Sequence, residues 1–219
     1  MDTSSPYEVF VKKYDAWYDS EEGKILYENE KKCIEPLIKS CDKVLEVGVG
    51  TGRFALLAKH AVGIDIAFFP LKMAKKRGVW VIQAKAEELP FKDKSFECVM
   101  FVLSLSFIKD GFKSLLEAKR VLKEQGKIII CEVFKGSKLG KVYEEKKQKG
   151  HPFYSHANFY DFIEFKKMLE ACGLRIAKAY GTLVNYPCKP VRLEDPSEIS
   201  FDTQVLAQLP GFVCLEVRP

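Results

Sequence analysis

One short stretch carries residue types that could bind a small ligand: an acid followed by three glycines at alternate positions. Glu46 lies near the end of an apolar run that predicts a buried strand. Gly48, Gly50 and Gly52 follow it, and the apolar residues 54–58 predict a helix. Glycine tolerates positive φ and allows a ligand to approach the backbone, so this order presents N–H groups to a bound molecule. We therefore predict a cofactor-binding turn.

A second acid should lie beside this turn. Asp65 falls in the next predicted strand, residues 61–66, near its carboxyl end. Because adjacent parallel strands end on the same edge of a sheet, Asp65 should face the glycine turn, where a carboxylate can accept hydrogen bonds from two ribose hydroxyls. The alternative is that Asp65 caps the helix predicted over residues 71–77.

Together these residues resemble the first motifs of the class I S-adenosylmethionine-dependent methyltransferases. In that family an acid precedes G-x-G-x-G, as Glu46 does here, and Asp-Ala-Glu-x-Leu-Pro-Phe follows the third strand, as residues 85–91 do after the strand predicted over 78–84. Two later segments, 96–99 and 120–126, resemble the family's Phe-Asp-x-Val and Arg-Val-Leu-Lys-Pro-Gly-Gly motifs. The landmarks occur in family order.

The resemblance implies the fold and the cofactor. The fold is α/β: a Rossmann-like, doubly wound, mostly parallel seven-stranded sheet with an antiparallel last strand and helices on both faces. The cofactor is S-adenosylmethionine, with the acid of the turn near its ammonium end. The residues implied to bind it are Glu46, Gly48, Gly50, Gly52, Asp65, Ile66, Ala86, Glu87, Val102 and Leu103.

One residue departs from the family pattern. Lys85 stands where the family usually has an Asp that accepts a hydrogen bond from the adenine amino group. A charged lysine only donates, so it cannot take this role. We expect adenine recognition to rest on the backbone of Ala86 and Glu87, or cofactor affinity to be weaker.

Two aromatic segments are candidates for contact with a substrate. Residues 14–18, Tyr-Asp-Ala-Trp-Tyr, resemble a segment that precedes a cofactor-covering helix in many small-molecule methyltransferases. We interpret residues 1–40 as a helical lid on a methyltransferase domain of residues 41–219, in a single domain overall; the alternative is a pair of helices packed on the sheet. Residues 151–160 border the substrate or simply pack on the core. The candidate contacts are Tyr14, Trp17, Tyr18, His151 and Tyr154.

The composition of the chain bears on its partners, its location and the state of its cysteines. The net charge of +5 is spread along the chain, so we expect no nucleic-acid partner. We expect no signal peptide and no membrane span, since no apolar run is long enough. The seven cysteines form no C-x-x-C pair, which predicts reduced, buried thiols in a cytoplasmic protein.

We therefore predict methyl transfer from S-adenosylmethionine to a small-molecule acceptor by in-line displacement. A neutral acceptor needs little proton chemistry, so no catalytic residue is assigned, and no metal site is predicted. The alternatives are an NAD-dependent oxidoreductase and a non-enzymatic S-adenosylmethionine-binding protein. Lys85 and the absence of histidine from residues 104–108 keep the second alternative open. The acceptor and the oligomeric state are left open.

Overall fold

A central sheet of eight strands organises the chain. The computed structural model describes residues 6–187, 191–200 and 209–219. Within these ranges, no helix combines the length and apolarity that a membrane span requires. The strands are β1 (Lys43–Val47), β2 (His60–Asp65), β3 (Trp80–Gln83), β4 (Phe96–Val102), β5 (Leu122–Glu132), β6 (Arg175–Thr182), β7 (Ser197–Glu198) and β8 (Phe212–Arg218).

The strand order is β3-β2-β1-β4-β5-β8-β6-β7. Strands β1 to β5 pair in parallel, whereas β8 runs antiparallel between β5 and β6. The predicted Rossmann-like fold with an antiparallel last strand is therefore confirmed. The eighth strand is the two-residue β7, which pairs with β6. The sequence did not predict β7 because so short a strand leaves no alternating pattern.

Helices cover the sheet and connect its strands. A 3₁₀ helix, Ala55–Leu57, replaces the helix predicted over residues 54–58, because β2 begins at His60 and leaves too few residues for α-helical turns. Two more 3₁₀ helices span Leu105–Phe107 and Tyr154–His156. The α-helices are α1 (Pro6–Trp17), α2 (Glu21–Ile38), α3 (Phe68–Lys76), α4 (Gly111–Val121), α5 (Lys138–Gln148) and α6 (Phe162–Ala171).

The core lies on both faces of the sheet because alternate side chains of each strand point to opposite faces. Leu45 and Val47 belong to one buried cluster with Leu115 of α4. Val44, on the opposite face, belongs to a second cluster with Ile34 of α2. Each such side chain stabilises the fold by roughly 1.5–3 kcal/mol on burial. This packing holds the carboxyl ends of the parallel strands at one edge.

Four of the seven cysteines differ from the prediction of reduced, buried thiols. Cys41 is joined to Cys98, and Cys131 to Cys214, so the expectation of reduced thiols is wrong for these four. The partners lie 57 and 83 residues apart in sequence, and they meet only through the sheet, where Cys131 and Cys214 are opposite each other on β5 and β8. No local spacing could show this pairing. The other cysteines are two buried free thiols and one residue outside the described ranges: Cys33, Cys172 and Cys188.

A buried ion cluster docks α1 onto the glycine turn. The carboxylate of Asp15, 6% exposed, accepts hydrogen bonds from Thr51 Oγ1 (2.7 Å), Arg53 Nε (2.8 Å) and Arg77 Nη2 (2.6 Å). Burial alone would raise the pKa of Asp15, but these three hydrogen bonds outweigh it and hold the pKa below its usual value. Arg53 also bonds Asp19, whose side chain is 63% exposed.

We expect Asp15→Asn to lower the free energy of unfolding by about 2–3 kcal/mol, because it leaves two buried or half-buried guanidinium groups without their carboxylate. The control Asp19→Asn removes an exposed partner of Arg53 and should cost less than about 1 kcal/mol. Urea unfolding measures the loss, and hydrogen exchange should show faster exchange within α1 for Asp15→Asn alone. Equal losses in the two variants would contradict the assignment.

Candidate functional site

The carboxyl edge of the parallel strands opens into a cavity of about 280 Å³. The glycine turn after β1, the ends of β2 and β4, and the segment after β3 line it, because all four reach the same edge of the sheet. Of the predicted cofactor residues, all but Gly52 line this cavity: Glu46, Gly48, Gly50, Asp65, Ile66, Ala86, Glu87, Val102 and Leu103.

The three glycines of the turn share positive φ but have different surroundings. A Cβ on Gly50 would meet nothing within 4 Å, so its open side leaves room for a ligand against the backbone. A Cβ on Gly52 would lie 2.9 Å from Ala74 Cβ, and one on Gly48 would lie 2.5 Å from Ser104 Cβ. Gly52 therefore permits close packing against α3 and does not line the cavity.

Two carboxyls line this cavity, the buried Glu46 and the half-buried Asp65. Glu46 is 2% exposed, and its Oε2 has no hydrogen-bond partner among the described residues. Burial raises the pKa of Glu46 well above its usual value, and the nearby Asp65 raises it further. An orphaned buried carboxyl oxygen is costly, and a cationic ammonium group would supply the missing partner. This acid fits the amino-acid end of S-adenosylmethionine.

The carboxylate of Asp65 is held by two backbone N–H groups, and it does not cap α3, whose N-cap residue is Ala67 without a side-chain hydrogen bond. Its Oδ2 accepts a hydrogen bond from Gly50 N (2.9 Å), and its Oδ1 accepts one from Ala67 N (2.9 Å) just before α3. Burial raises the pKa of Asp65, although these backbone hydrogen bonds act in the opposite direction. Each carboxylate oxygen has a second lone pair, so the group still has capacity to accept ribose hydroxyls.

The segment after β3 also lines the cavity. Lys85 lines it and is exposed, while Glu87 accepts a hydrogen bond from Asp110 N (3.2 Å). Ile66 is 58% exposed and offers an apolar surface to a flat ring. Arg120 holds the segment in place by donating to the carbonyl oxygens of Phe91 (2.8 Å) and Leu89 (3.0 Å).

A second cavity, of about 540 Å³, adjoins the first. All five predicted substrate residues line it, although they come from distant parts of the chain: Tyr14, Trp17, Tyr18, His151 and Tyr154. Five residues line both cavities and form the wall between them, which we call the shared wall: Tyr14, Tyr18, Leu103, Phe107 and Phe153. The sequence did not single out the last three of these as substrate contacts.

Aromatic rings form much of the second cavity. Tyr14 stacks on Phe153 with ring centroids 5.1 Å apart, and it meets Tyr18 edge-on at 5.5 Å. Tyr154 stacks on Tyr143 at 4.4 Å and contacts the ring of His151 at 4.9 Å. The segment around residues 151–160 therefore both packs on its neighbours and borders a cavity.

Two acids of this cavity escaped sequence reasoning. Glu30 is 6% exposed, and its Oε2 has no hydrogen-bond partner in the described part of the chain. Glu132 is 2% exposed and accepts hydrogen bonds from Ser106 N (3.2 Å) and Oγ (2.9 Å); burial raises its pKa to about 7. A signal for Glu30 was present, because it interrupts the apolar stripe of α2 between Leu26 and Cys33.

Known proteins resemble this chain in both sequence and fold. Residues 45–130 match a family model described as a methyltransferase domain. An uncharacterised protein of Methanocaldococcus jannaschii is 43% identical over 177 residues, which cover 81% of this chain and 84% of that protein. A UbiE ubiquinone/menaquinone biosynthesis C-methyltransferase of Francisella philomiragia is 30% identical over 151 residues, 61% of this chain and 60% of its own length.

The fold comparison agrees over nearly the full length. The crystal structure of a SAM-dependent methyltransferase from Thermotoga maritima, a possible histamine N-methyltransferase, has a TM-score of 0.86 and 32% identity, and the match covers 97% of each chain. These findings remove the alternatives of an NAD-dependent oxidoreductase and of a non-enzymatic protein. The chain belongs to the class I S-adenosylmethionine-dependent methyltransferases, and it is an enzyme whose cofactor is S-adenosylmethionine.

Proposed function

We propose that this enzyme transfers a methyl group to a small-molecule acceptor by in-line displacement across the shared wall. The observation that carries the proposal is that two adjoining cavities meet there, one lined by nine of the ten predicted cofactor residues and one lined by aromatic side chains. The second cavity, at about 540 Å³, has the size of ordinary small-molecule sites. An acceptor in it would meet the cofactor at Tyr14, Tyr18 and Phe153.

The first cavity supports specific roles toward the cofactor. The unpartnered oxygen of Glu46 would accept a hydrogen bond from the ammonium group, and the open side of Gly50 would leave room for the amino-acid part. Asp65 would accept hydrogen bonds from the ribose hydroxyls. The backbone of Ala86 and Glu87 would border the adenine.

The residues of the chain would position the acceptor against the cofactor and exclude water from the reacting atoms. When bound, S-adenosylmethionine supplies a methyl group on a positively charged sulfur. The acceptor's lone pair forms the new bond to carbon while the sulfur–carbon electron pair stays on sulfur, so the positive charge moves to the acceptor. Such a displacement depends on the alignment of the attacking atom with the methyl carbon, which the rings of the shared wall would impose. Two of these rings depend on the position of α1, which the Asp15 cluster holds in place.

The relatives suggest two kinds of acceptor atom. The Thermotoga maritima protein is a possible histamine N-methyltransferase, and UbiE is a C-methyltransferase of quinone biosynthesis. Histamine and the quinones that these names mention are small molecules, which supports a small-molecule acceptor here. A lid role for residues 1–40 and a cytoplasmic location stay predictions.

We expect Gly50→Ala to weaken binding of S-adenosylmethionine at least about tenfold, because it adds a methyl group in the open space beside a backbone that lines the cavity. The matched variant Gly52→Ala carries similar positive-φ strain but collides with Ala74, so it should lower the free energy of unfolding by about 1–3 kcal/mol more than Gly50→Ala does. Calorimetric titration and urea unfolding separate the two effects. Wild-type affinity in Gly50→Ala would contradict the proposed position of the cofactor.

We expect turnover with a small molecule, measured as S-adenosylhomocysteine formed from S-adenosylmethionine in the presence of amines including histamine, phenols, thiols and quinols. Asp65→Ala should raise the KM for S-adenosylmethionine at least about tenfold and leave the KM for the acceptor nearly unchanged, because it removes the proposed ribose contacts and the carboxylate that Gly50 N and Ala67 N bond, while Asp65 does not line the second cavity. A protein that binds the cofactor but methylates none of these compounds would count against a small-molecule acceptor. An unchanged KM in Asp65→Ala would refute its role.

A further inference from the structure

In the second cavity two acidic side chains are buried and the lysine side chains are exposed. Its two most buried carboxyls are those of Glu30 and Glu132. The two lysines that line it, Lys13 and Lys146, are exposed. A ligand that enters therefore passes basic residues and reaches an acidic interior. A carboxylate in such a low-dielectric interior attracts a cation far more strongly than it would in water.

Of the two buried acids, Glu30 has an oxygen to spare. Glu132 already accepts two hydrogen bonds from Ser106. Glu30 Oε2 has no hydrogen-bond partner in the described ranges, and the nearby Tyr18 side chain only partly offsets the effect of burial on the pKa of Glu30. Among the described residues, no lysine, arginine or histidine forms an ion pair with it. Burial accordingly raises the pKa of Glu30 to about 8, which an approaching cation would lower again.

The rings around this cavity are also suited to a cation. The ammonium nitrogen of Lys146 lies 5.6 Å from the ring centroid of Tyr143 and 5.4 Å from that of Tyr154. Both distances fall within the range of a cation–π contact. The aromatic wall thus already holds one cation on its exposed side. Tyr14 and Tyr18 extend the same kind of surface toward the shared wall.

We propose that the methyl acceptor is a cationic amine whose ammonium group binds the free oxygen of Glu30, with aromatic rings around it. This inference rests on the proposed function and names the substrate class of the second cavity. The nitrogen or other atom that attacks the methyl group must carry a lone pair, so it is a different atom from the ammonium nitrogen at Glu30. The acceptor therefore has at least two functional groups, one charged and one neutral.

A protonated Glu30 could instead donate a hydrogen bond to a neutral oxygen of an acceptor. The test must therefore compare amines with uncharged molecules of the same shape. Two matched pairs are suitable, 2-phenylethylamine with 2-phenylethanol, and tryptamine with tryptophol. Each pair differs only in the group that would reach Glu30.

The experiment is calorimetric titration of the protein, saturated with S-adenosylhomocysteine, with these four compounds. We expect each amine to bind the wild-type protein at least about tenfold more tightly than its alcohol, since a charge-assisted hydrogen bond is about twice as strong as a neutral one. Glu30→Gln should abolish this preference while it keeps its affinity for the alcohols. The matched control Glu28→Gln, on the exposed face of α2, should retain the preference.

The outcomes separate this inference from the proposed function. Alcohols that bind the wild-type protein as tightly as the amines, the absence of binding by both amines, or a preference that survives in Glu30→Gln would each overturn the ammonium site. Each of these results leaves the proposed function standing, provided that S-adenosylhomocysteine binds. A wild-type protein that does not bind S-adenosylhomocysteine would overturn the proposed function, and the ammonium site with it. Circular dichroism and the affinity for S-adenosylhomocysteine verify that each variant is folded.

Discussion

The carboxylate of Asp15 fixes the relation between the N-terminal helix and the cofactor turn. It is bonded at once to Thr51, Arg53 and Arg77, so α1 has one position against the turn rather than many. Tyr14 and Tyr18 lie on the same helix or just after it, and both cavities depend on them for the wall they share. The part of the wall between the two cavities that Tyr14 and Tyr18 form therefore depends on one buried ion cluster.

The interior of the site is acidic, although the chain carries a net charge of +5. Glu46, Asp65 and Glu132 lie at the carboxyl ends of parallel strands, which the topology brings to one edge of the sheet. Glu30 joins them from α2. Burial raises the pKa of all four, so each is costly to ionise without a partner. A positively charged sulfonium, an ammonium group on the cofactor and a cationic acceptor would each relieve that cost.

Local patterns predicted the parts of the site that depend on local geometry. The glycine turn and Asp65 could be placed because an apolar run, a turn and the common edge of parallel strands follow from neighbouring residues. Gly52 was assigned to the cofactor, yet it packs against Ala74 of α3. No local sequence spacing predicts that contact. The two disulfides and the second cavity likewise form only through the tertiary fold. Glu30 was also missed, although an acid within an apolar helical stripe is itself a signal.

The most direct test of this account is a crystal structure of the protein with S-adenosylhomocysteine bound. The account predicts that the amino group contacts Glu46, that the ribose contacts Asp65, and that the sulfur faces the second cavity through the shared wall of Tyr14, Tyr18 and Phe153. A cofactor whose sulfur points away from the second cavity would contradict it. In that case the aromatic cavity could not hold the methyl acceptor, and the ion cluster at Asp15 would have a purely structural role.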